Sequence, residues 1–359
     1  MRIFYCFGCG QTLYFENTRC LFCNSALGFL SDKQFLSAIR QINDDEWLAL
    51  EPAAEGRIYR KCTNYRYEAV CNWMVPIENP DSYCLACALN VTIPNLEAQR
   101  NREYWGKLER AKKRLIYNLI KLNLPIENRQ TNPKAGLAFE FLEDVKVSYK
   151  ETKKVMTGHT SGLITINIAE ADEVKRAHMQ LKMKEVYRTV LGHFRHEIGH
   201  YYWSLLISEQ HITAFRELFG DERENYTLAL KNYYKDGPKP DWPLNYVSAY
   251  ASSHSWEDWA ETWAHYLHLT DTLETAQAWG LSIRPQGAET PKAQPPSLPY
   301  IYRENSWDSF DSMYHQWTLL ACAINSMNRS MGQSDFYPFI LAQKAIDKLR
   351  FVDAIIRTL

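Results

Sequence analysis

Residues 191–203 read LGHFRHEIGHYYW, placing two histidines four apart with a glutamate directly after the first. On a helix, His196 and His200 stand one turn apart and can turn two imidazole nitrogens toward one zinc ion, while Glu197 sits where it can take a proton from bound water. An apolar stripe of Tyr187, Leu191, Phe194, Ile198, Tyr201 and Leu205, spaced alternately by four and three, predicts the face that meets the core. His193, His196, Glu197 and His200 lie roughly opposite, on a second face that must itself meet something polar. A metal meets that demand, and Gly199 removes side-chain bulk between the two histidines. The plain alternative is an ordinary core helix, but core histidines would interrupt the stripe and these do not.

HExxH arises by chance in long chains, so the metal reading requires a third ligand. SAYASSHSWEDWAETWAHYLHL (248–269) supplies candidates. Ser255 with Asp258 three residues on resembles a capping box, which predicts a helix starting at about Trp256. Glu257, Glu261, His265 and His268 then line one face, with Trp256, Ala260, Trp263 and Leu267 along another. This spacing lets Glu257 coordinate zinc while Glu261, one turn later, hydrogen-bonds the other nitrogen of a ligating histidine and fixes its tautomer. A solvated acidic face is the alternative. The neighbouring tryptophans argue for burial, and buried carboxylates need a cation.

Eight of the nine cysteines lie before residue 90, six of them in CxxC pairs, a spacing that favours metal over disulfides. Cys6, Cys9, Cys20 and Cys23 form two knuckles that can close a tetrahedral, four-thiolate structural zinc site, with Phe4, Tyr5, Phe7, Tyr14 and Phe15 as apolar cover. Cys62, Cys71, Cys84 and Cys87 form a looser quartet that predicts a second structural zinc; buried free thiols are the alternative. Cys322, on an apolar helical stretch, is expected to be a small core residue.

A formal net charge of −1 and a pI near 6.8 give no global electrostatic reason for nucleic acid or an anionic membrane as the main partner. No apolar stretch approaches the roughly 20 residues of a membrane span, and MRIFYCFGCG has no apolar signal core, so the cytoplasm is the expected compartment. Residues 101–125 predict a long helix ended by Pro125, with Trp105, Leu108, Leu115, Leu119 and Leu122 on one stripe and Arg110, Lys112, Lys113 and Arg114 mostly off it. Those charges read as a solvated face on a tether; contact with RNA or an acidic partner is the less favoured reading. Residues 139–150 and 161–169 predict two strands, the second a candidate sheet edge, and a charged helical stretch from Ala169 leads to the HEIGH helix. Residues 283–299 are a Pro-rich connection, and two amphipathic helices, about 307–328 and 337–357, close the chain.

HEIGH and EDWAE together resemble the gluzincin type of zinc metallopeptidase, in which HExxH is completed by a glutamate on a later helix. More closely, CxxCG near the start, RHEIGHYYW, FGDER (219–223) and VSAYASSHSWEDWAETWAHYLH resemble an uncharacterised bacterial family of zinc-binding metallopeptidases with an N-terminal zinc ribbon. The resemblance implies an α+β protein: a zinc ribbon (1–30), a second Cys-rich zinc-binding segment (31–98), and a mostly helical zincin-like catalytic domain with a small sheet (99–359) that includes the basic helix at 101–124. Together with the two cysteine quartets it gives an expectation of one catalytic and two structural zinc ions and of a peptide or protein as partner, while the resemblance itself supplies no substrate. Glu197 is the general base, Glu257 the preferred third ligand and Glu261 the alternative, since helix geometry permits either. His193 is a ligand, a donor behind a ligand, or a substrate contact. Tyr250 is similar to the tyrosine that some gluzincins aim at the developing oxyanion; a packing role is nearly as well supported. GLITIN (162–167) is a segment to which an extended peptide could add as a strand. The competing function is a zinc scaffold that binds protein or nucleic acid through its ribbons.

Overall fold

The computed structural model describes residues 1–146, 152–183, 189–285 and 309–359. The fold is α+β, with a Cys-rich strand region first and a helical region after it. Strands β1 (Phe4–Tyr5) and β2 (Thr12–Leu13) make a hairpin that pairs Phe4 with Leu13. Strands β3 (Ala26–Leu30), β4 (Phe35–Gln41), β5 (Trp47–Ala49), β6 (Ile58–Lys61) and β7 (Met74–Pro76) form an antiparallel sheet in chain order, with the single-turn helix α1 (Thr63–Arg66) between β6 and β7. The sheet curls until Phe29 bridges Trp73. Residue 30 closes β3, whose partner β4 lies beyond it, so segments 1–30 and 31–98 share one sheet.

Of the expected aromatic cover, Phe4 and Phe15 are buried, whereas Tyr5, Phe7 and Tyr14 are exposed. Alternation in the hairpin is the reason: Phe4 and Leu13 point in, Tyr5 and Thr12 out. The inner cover comes instead from Phe29, Trp73 and Tyr117, packed around Phe15.

Strand β8 (Asn90–Thr92) leads to helix α2 (Gln99–Lys121), which stops four residues before Pro125. Lys112 and Lys113, expected in solvent, are buried against the equally buried Glu109, with Nζ–carboxylate distances of 2.7 and 2.6 Å. Strand β9 (Ala138–Leu142) is shorter than predicted. Val145–Lys146 is a separate strand, β10, paired with β11 (Thr152–Lys153), and residues 147–150 of the predicted strand lie outside the described residues. Strands β12 (Gly158–Thr160) and β13 (Leu163–Asn167) complete a sheet ordered β12-β13-β9-β8. The predicted edge at 161–169 is thus an interior strand, because a turn at Ser161 and Gly162, both at positive φ, folds β12 back along β13. GLITIN has partners on both sides, and β12 is the edge on that side.

A 3-10 turn (Ile168–Ala171) precedes α3 (Glu173–Met183). Then come α4 (Val190–Leu206), α5 (Glu209–Phe219), α6 (Tyr226–Asp236), the single turn α7 (Trp242–Asn245), α8 (Ser255–Ala278), α9 (Phe310–Ser330) and α10 (Gln343–Arg357). The α4 stripe holds at Phe194, Ile198 and Tyr201, but it ends on Tyr202 and Leu206, with Leu205 turned outward; Tyr187 lies outside the described residues. The cap of α8 is His254, whose Nδ1 accepts from Trp256 N at 3.1 Å, rather than Ser255. Asp258 is drawn away from any capping box by Lys348 at 2.6 Å. Cys322 is exposed, one step past the buried Trp317, Leu320 and Ala321. Residues 286–299 of the Pro-rich connection, and 307–308 of the helix after it, lie outside the described residues. No helix among the described residues is long and apolar enough to cross a membrane.

Candidate metal centre

Helices α4 and α8 meet at a point where side chains are nearly absent. A Cβ at Gly199 would stand 3.0 Å from Ala260 Cα and 3.2 Å from Trp263 Cβ, so any larger residue would push the two helices apart by a few tenths of an ångström. Trp259 Nε1 donates to the Gly199 carbonyl at 2.9 Å, and Tyr202 stacks on Trp263 with ring centroids 4.9 Å apart. From below, Phe194 packs on Phe139 and Phe141 of β9, which fixes the rotation of α4. Its polar face is thereby aimed at the carboxylates of α8.

His196 and His200 stand with ring centroids 5.0 Å apart, and one donor atom from each of His196, His200 and Glu257 lies within 4.8 Å of the others. Glu257 Oε2 is 3.0 Å from His196 Nε2, and Glu257 Oε1 is 3.7 Å from His200 Nε2. Glu261 is on the far side of the same imidazole, its Oε1 2.7 Å from His196 Nδ1, and Ser248 Oγ donates to its other oxygen at 2.6 Å. The two carboxylates of the i, i+4 pair therefore differ in place: Glu257 joins the convergent nitrogens, and Glu261 backs one of them.

This geometry has an electrostatic consequence. A neutral His196 that donates Nδ1–H to Glu261 turns the lone pair of Nε2 toward Glu257 Oε2, and two acceptors 3.0 Å apart repel unless a cation stands between them. Burial pushes the His196 pKa down, but the two close carboxylates, Glu257 and then Glu261, carry it well above its ordinary value. Burial holds His200 down at about 4, hence neutral and able to ligate. Burial would raise Glu257, yet His200, His196 and Tyr226 bring it to about 2. The donor set, two imidazoles and a buried carboxylate, fits zinc.

Glu197 is buried beside this group, its Oε2 makes no hydrogen bond, and burial raises its pKa to about 6. Tyr250, on a 3-10 turn (Tyr250–Ser253), sets its ring 5.9 Å from that of His196. His193 stands apart from the convergent donors and faces Glu170 at 3.1 Å. Two residues at the site escape sequence reading. Tyr226 donates its hydroxyl to Glu257 Oε1 at 2.6 Å. His159, on edge strand β12, stacks on His200 at 6.2 Å, and its Nε2 accepts from Gly162 N at 3.0 Å, which leaves the proton of the neutral ring on Nδ1. Asn225 is a cap signal that locates the start of α6, but no spacing ties Tyr226 to Glu257 or His159 to His200.

Both cysteine quartets converge without disulfides. In the first, Cys6 and Cys23 sulfurs are 3.5 Å apart and those of Cys9 and Cys20 3.7 Å. The second is buried at all four cysteines, and the backbone amides of Trp73 and Cys84 donate to the Cys71 and Cys62 sulfurs, each at 3.3 Å. Its surroundings explain the two buried lysines of α2. Four thiolates around a divalent ion carry a net charge of about −2, and Glu109 Oε2 stands 3.9 Å from Cys87 Sγ, with Lys113 on that oxygen and Lys112 on Oε1. Burial opposes the charge on Lys113, but Cys71, Cys87 and Glu109 outweigh it and raise its pKa.

Residues 101–355 match the family model described as "Putative zinc-binding metallo-peptidase", and residues 3–98 match a zinc-ribbon domain model. Uncharacterised proteins of Mycobacterium bovis and of two Mycobacterium tuberculosis strains are each 39% identical over 358 residues, covering 99% of this chain and 95% of theirs. No solved structure matches. The zinc-suited donor sets and these matches agree, and the chain belongs to the zinc-binding metallopeptidase family that carries an N-terminal zinc ribbon.

Proposed function

We propose that the protein is a zinc-dependent peptidase that hydrolyses amide bonds of peptides or proteins, with His196, His200 and Glu257 as ligands, Glu197 as general base and a gluzincin-type arrangement. The observation that carries this reading is the contact of His196 Nε2 with Glu257 Oε2 at 3.0 Å while Nδ1 is engaged by Glu261. A proton or a metal ion answers that repulsion. The nitrogen of His200, close to the same carboxylate, favours the metal, because it adds a third donor atom that a single proton does not need.

When bound, zinc supplies a Lewis acid that activates water and polarises the scissile carbonyl. Glu197 takes the proton of the attacking water and hands it to the leaving amine; its unpaired, buried Oε2 is available for both transfers. Glu261 and Ser248 hold the His196 ring in one tautomer. Tyr250 offers a phenolic donor to the developing oxyanion. Strand β12, the edge of its sheet on the side of His200, gives an extended substrate a strand to join. Two further zinc ions in the cysteine quartets serve structure.

The test is Glu197→Gln, nearly isosteric but unable to act as a base. The variant is expected to keep its zinc and its fold and to lose essentially all hydrolysis in a screen of cellular peptides cleaved by the wild type. Equal turnover by both proteins would remove Glu197 from the mechanism.

A further inference from the structure

Glu257 has two oxygens, and they stand in different company. Oε2 faces His196 Nε2 at 3.0 Å and makes no hydrogen bond, whereas Oε1, 3.7 Å from His200 Nε2, accepts the hydroxyl of Tyr226 at 2.6 Å. Tyr226 is the first residue of α6, a helix with no buried residue, started by Asn225, whose side chain accepts from Leu228 N at 2.9 Å. Its ring lies edge-on to His254 at 5.2 Å and tilted against Trp256 at 5.9 Å, both at the start of α8. On the same helix Tyr233 meets Tyr250 at 5.7 Å. Helix α6 therefore reaches the site through aromatic rings and one hydroxyl, not through an apolar face of its own.

We propose that Tyr226 is a positioning residue for the metal: its hydroxyl commits Oε1 of Glu257 and leaves Oε2 as the oxygen offered, with His196 and His200, to the ion. This inference rests on the reading of that triad as a metal centre. Removing the hydroxyl leaves a buried Oε1 without its donor and frees the carboxylate to rotate, so the ligand is no longer held in one orientation before the ion arrives. The ring contacts to His254 and Trp256 need no oxygen and survive in phenylalanine.

The experiment compares wild type, Tyr226→Phe and Tyr266→Phe. The last deletes another buried phenol–carboxylate bond of the helical core, Tyr266 to Asp353 at 2.8 Å, on the opposite side of α8. Zinc affinity is measured by competition with a chromophoric chelator on protein that retains its thiolate-bound ions, and the visible absorption of Co2+ at the same site reports ligand geometry. Tyr226→Phe is expected to weaken the nitrogen–carboxylate ion about 10-fold or more and to alter the Co2+ spectrum, while Tyr266→Phe leaves both unchanged. Equal affinity and spectrum in wild type and Tyr226→Phe overturn the inference alone. Unchanged affinity with lost hydrolysis overturns it too, since the hydroxyl would then act on substrate. A wild type that binds no ion at His196 and His200 overturns the metal reading and this inference with it.

Discussion

His196 shows how much chemistry one side chain can carry when each nitrogen has a different neighbour: Glu261 fixes the tautomer on one side, and that choice decides what the other can bind. Tyr250 is the residue where packing and catalysis must be told apart. Burial first, then the charges of Glu257 and its neighbours, hold its phenol protonated well above the ordinary range, so it keeps a proton to donate near the site. Its ring also packs between His196 and Tyr233, which is what a purely structural tyrosine would do. Tyr250→Phe keeps the ring and deletes the donor. If the hydroxyl meets the oxyanion, kcat falls roughly 100-fold while the melting temperature and bound zinc stay as in the wild type. Equal kcat values would leave Tyr250 as packing.

At the scale of elements, the site depends on how closely α4 and α8 approach. Gly199 is the constraint, because the atoms a new Cβ would meet are the backbone and Cβ of α8, which cannot swing aside. Gly199→Ala gains about 1 kcal/mol of helix propensity but must separate two packed helices, an overpacking cost of about 1–3 kcal/mol. Denaturant unfolding is expected to show a net loss of stability, with zinc held less tightly as His196 and Glu257 move apart. A more stable variant with unaltered zinc affinity would refute this account of the helix pair. Periodicity made α2, α4 and α8 legible within a few residues, because those stripes are local. It could not report what depends on distant partners. Lys113 looks like solvent-facing charge until the fold brings Cys71, Cys84 and Cys87 to it, and so does Lys112 until it closes on Glu109 and Asn90. β13 looks like an edge until β12 pairs back on it. The i, i+4 carboxylates of α8 could be placed on one face, but Tyr226 approaches from a helix with no motif.

Across the whole molecule, one buried cluster joins the ribbon to the helices. Phe15 and Phe29 pack on Tyr117 of α2, α2 carries the ion-pair cluster beside the second quartet, and Phe194 of α4 continues the same core. The three candidate metal sites should accordingly respond differently to chelation. A four-thiolate site has no vacant position and is coupled to the folding of what surrounds it; a zinc ion on three protein ligands, as the proposed function requires, would keep its fourth position for water and yield to a chelator first. Purified protein is expected to carry about three zinc ions. Mild chelation should abolish hydrolysis after removing about one of them, with the fold largely intact, and only harsher conditions that strip the quartets should unfold the ribbon and loosen α2. Glu257→Ala should lose the labile ion and spare the other two. Glu261→Ala should weaken it about 10- to 100-fold without abolishing binding, because Glu261 reaches the ion only through His196. The reverse ranking would exchange the roles of the two glutamates. A count of about two ions, both indifferent to either substitution, would instead leave a zinc-held scaffold whose ribbons bind a partner and whose HEIGH helix performs no hydrolysis.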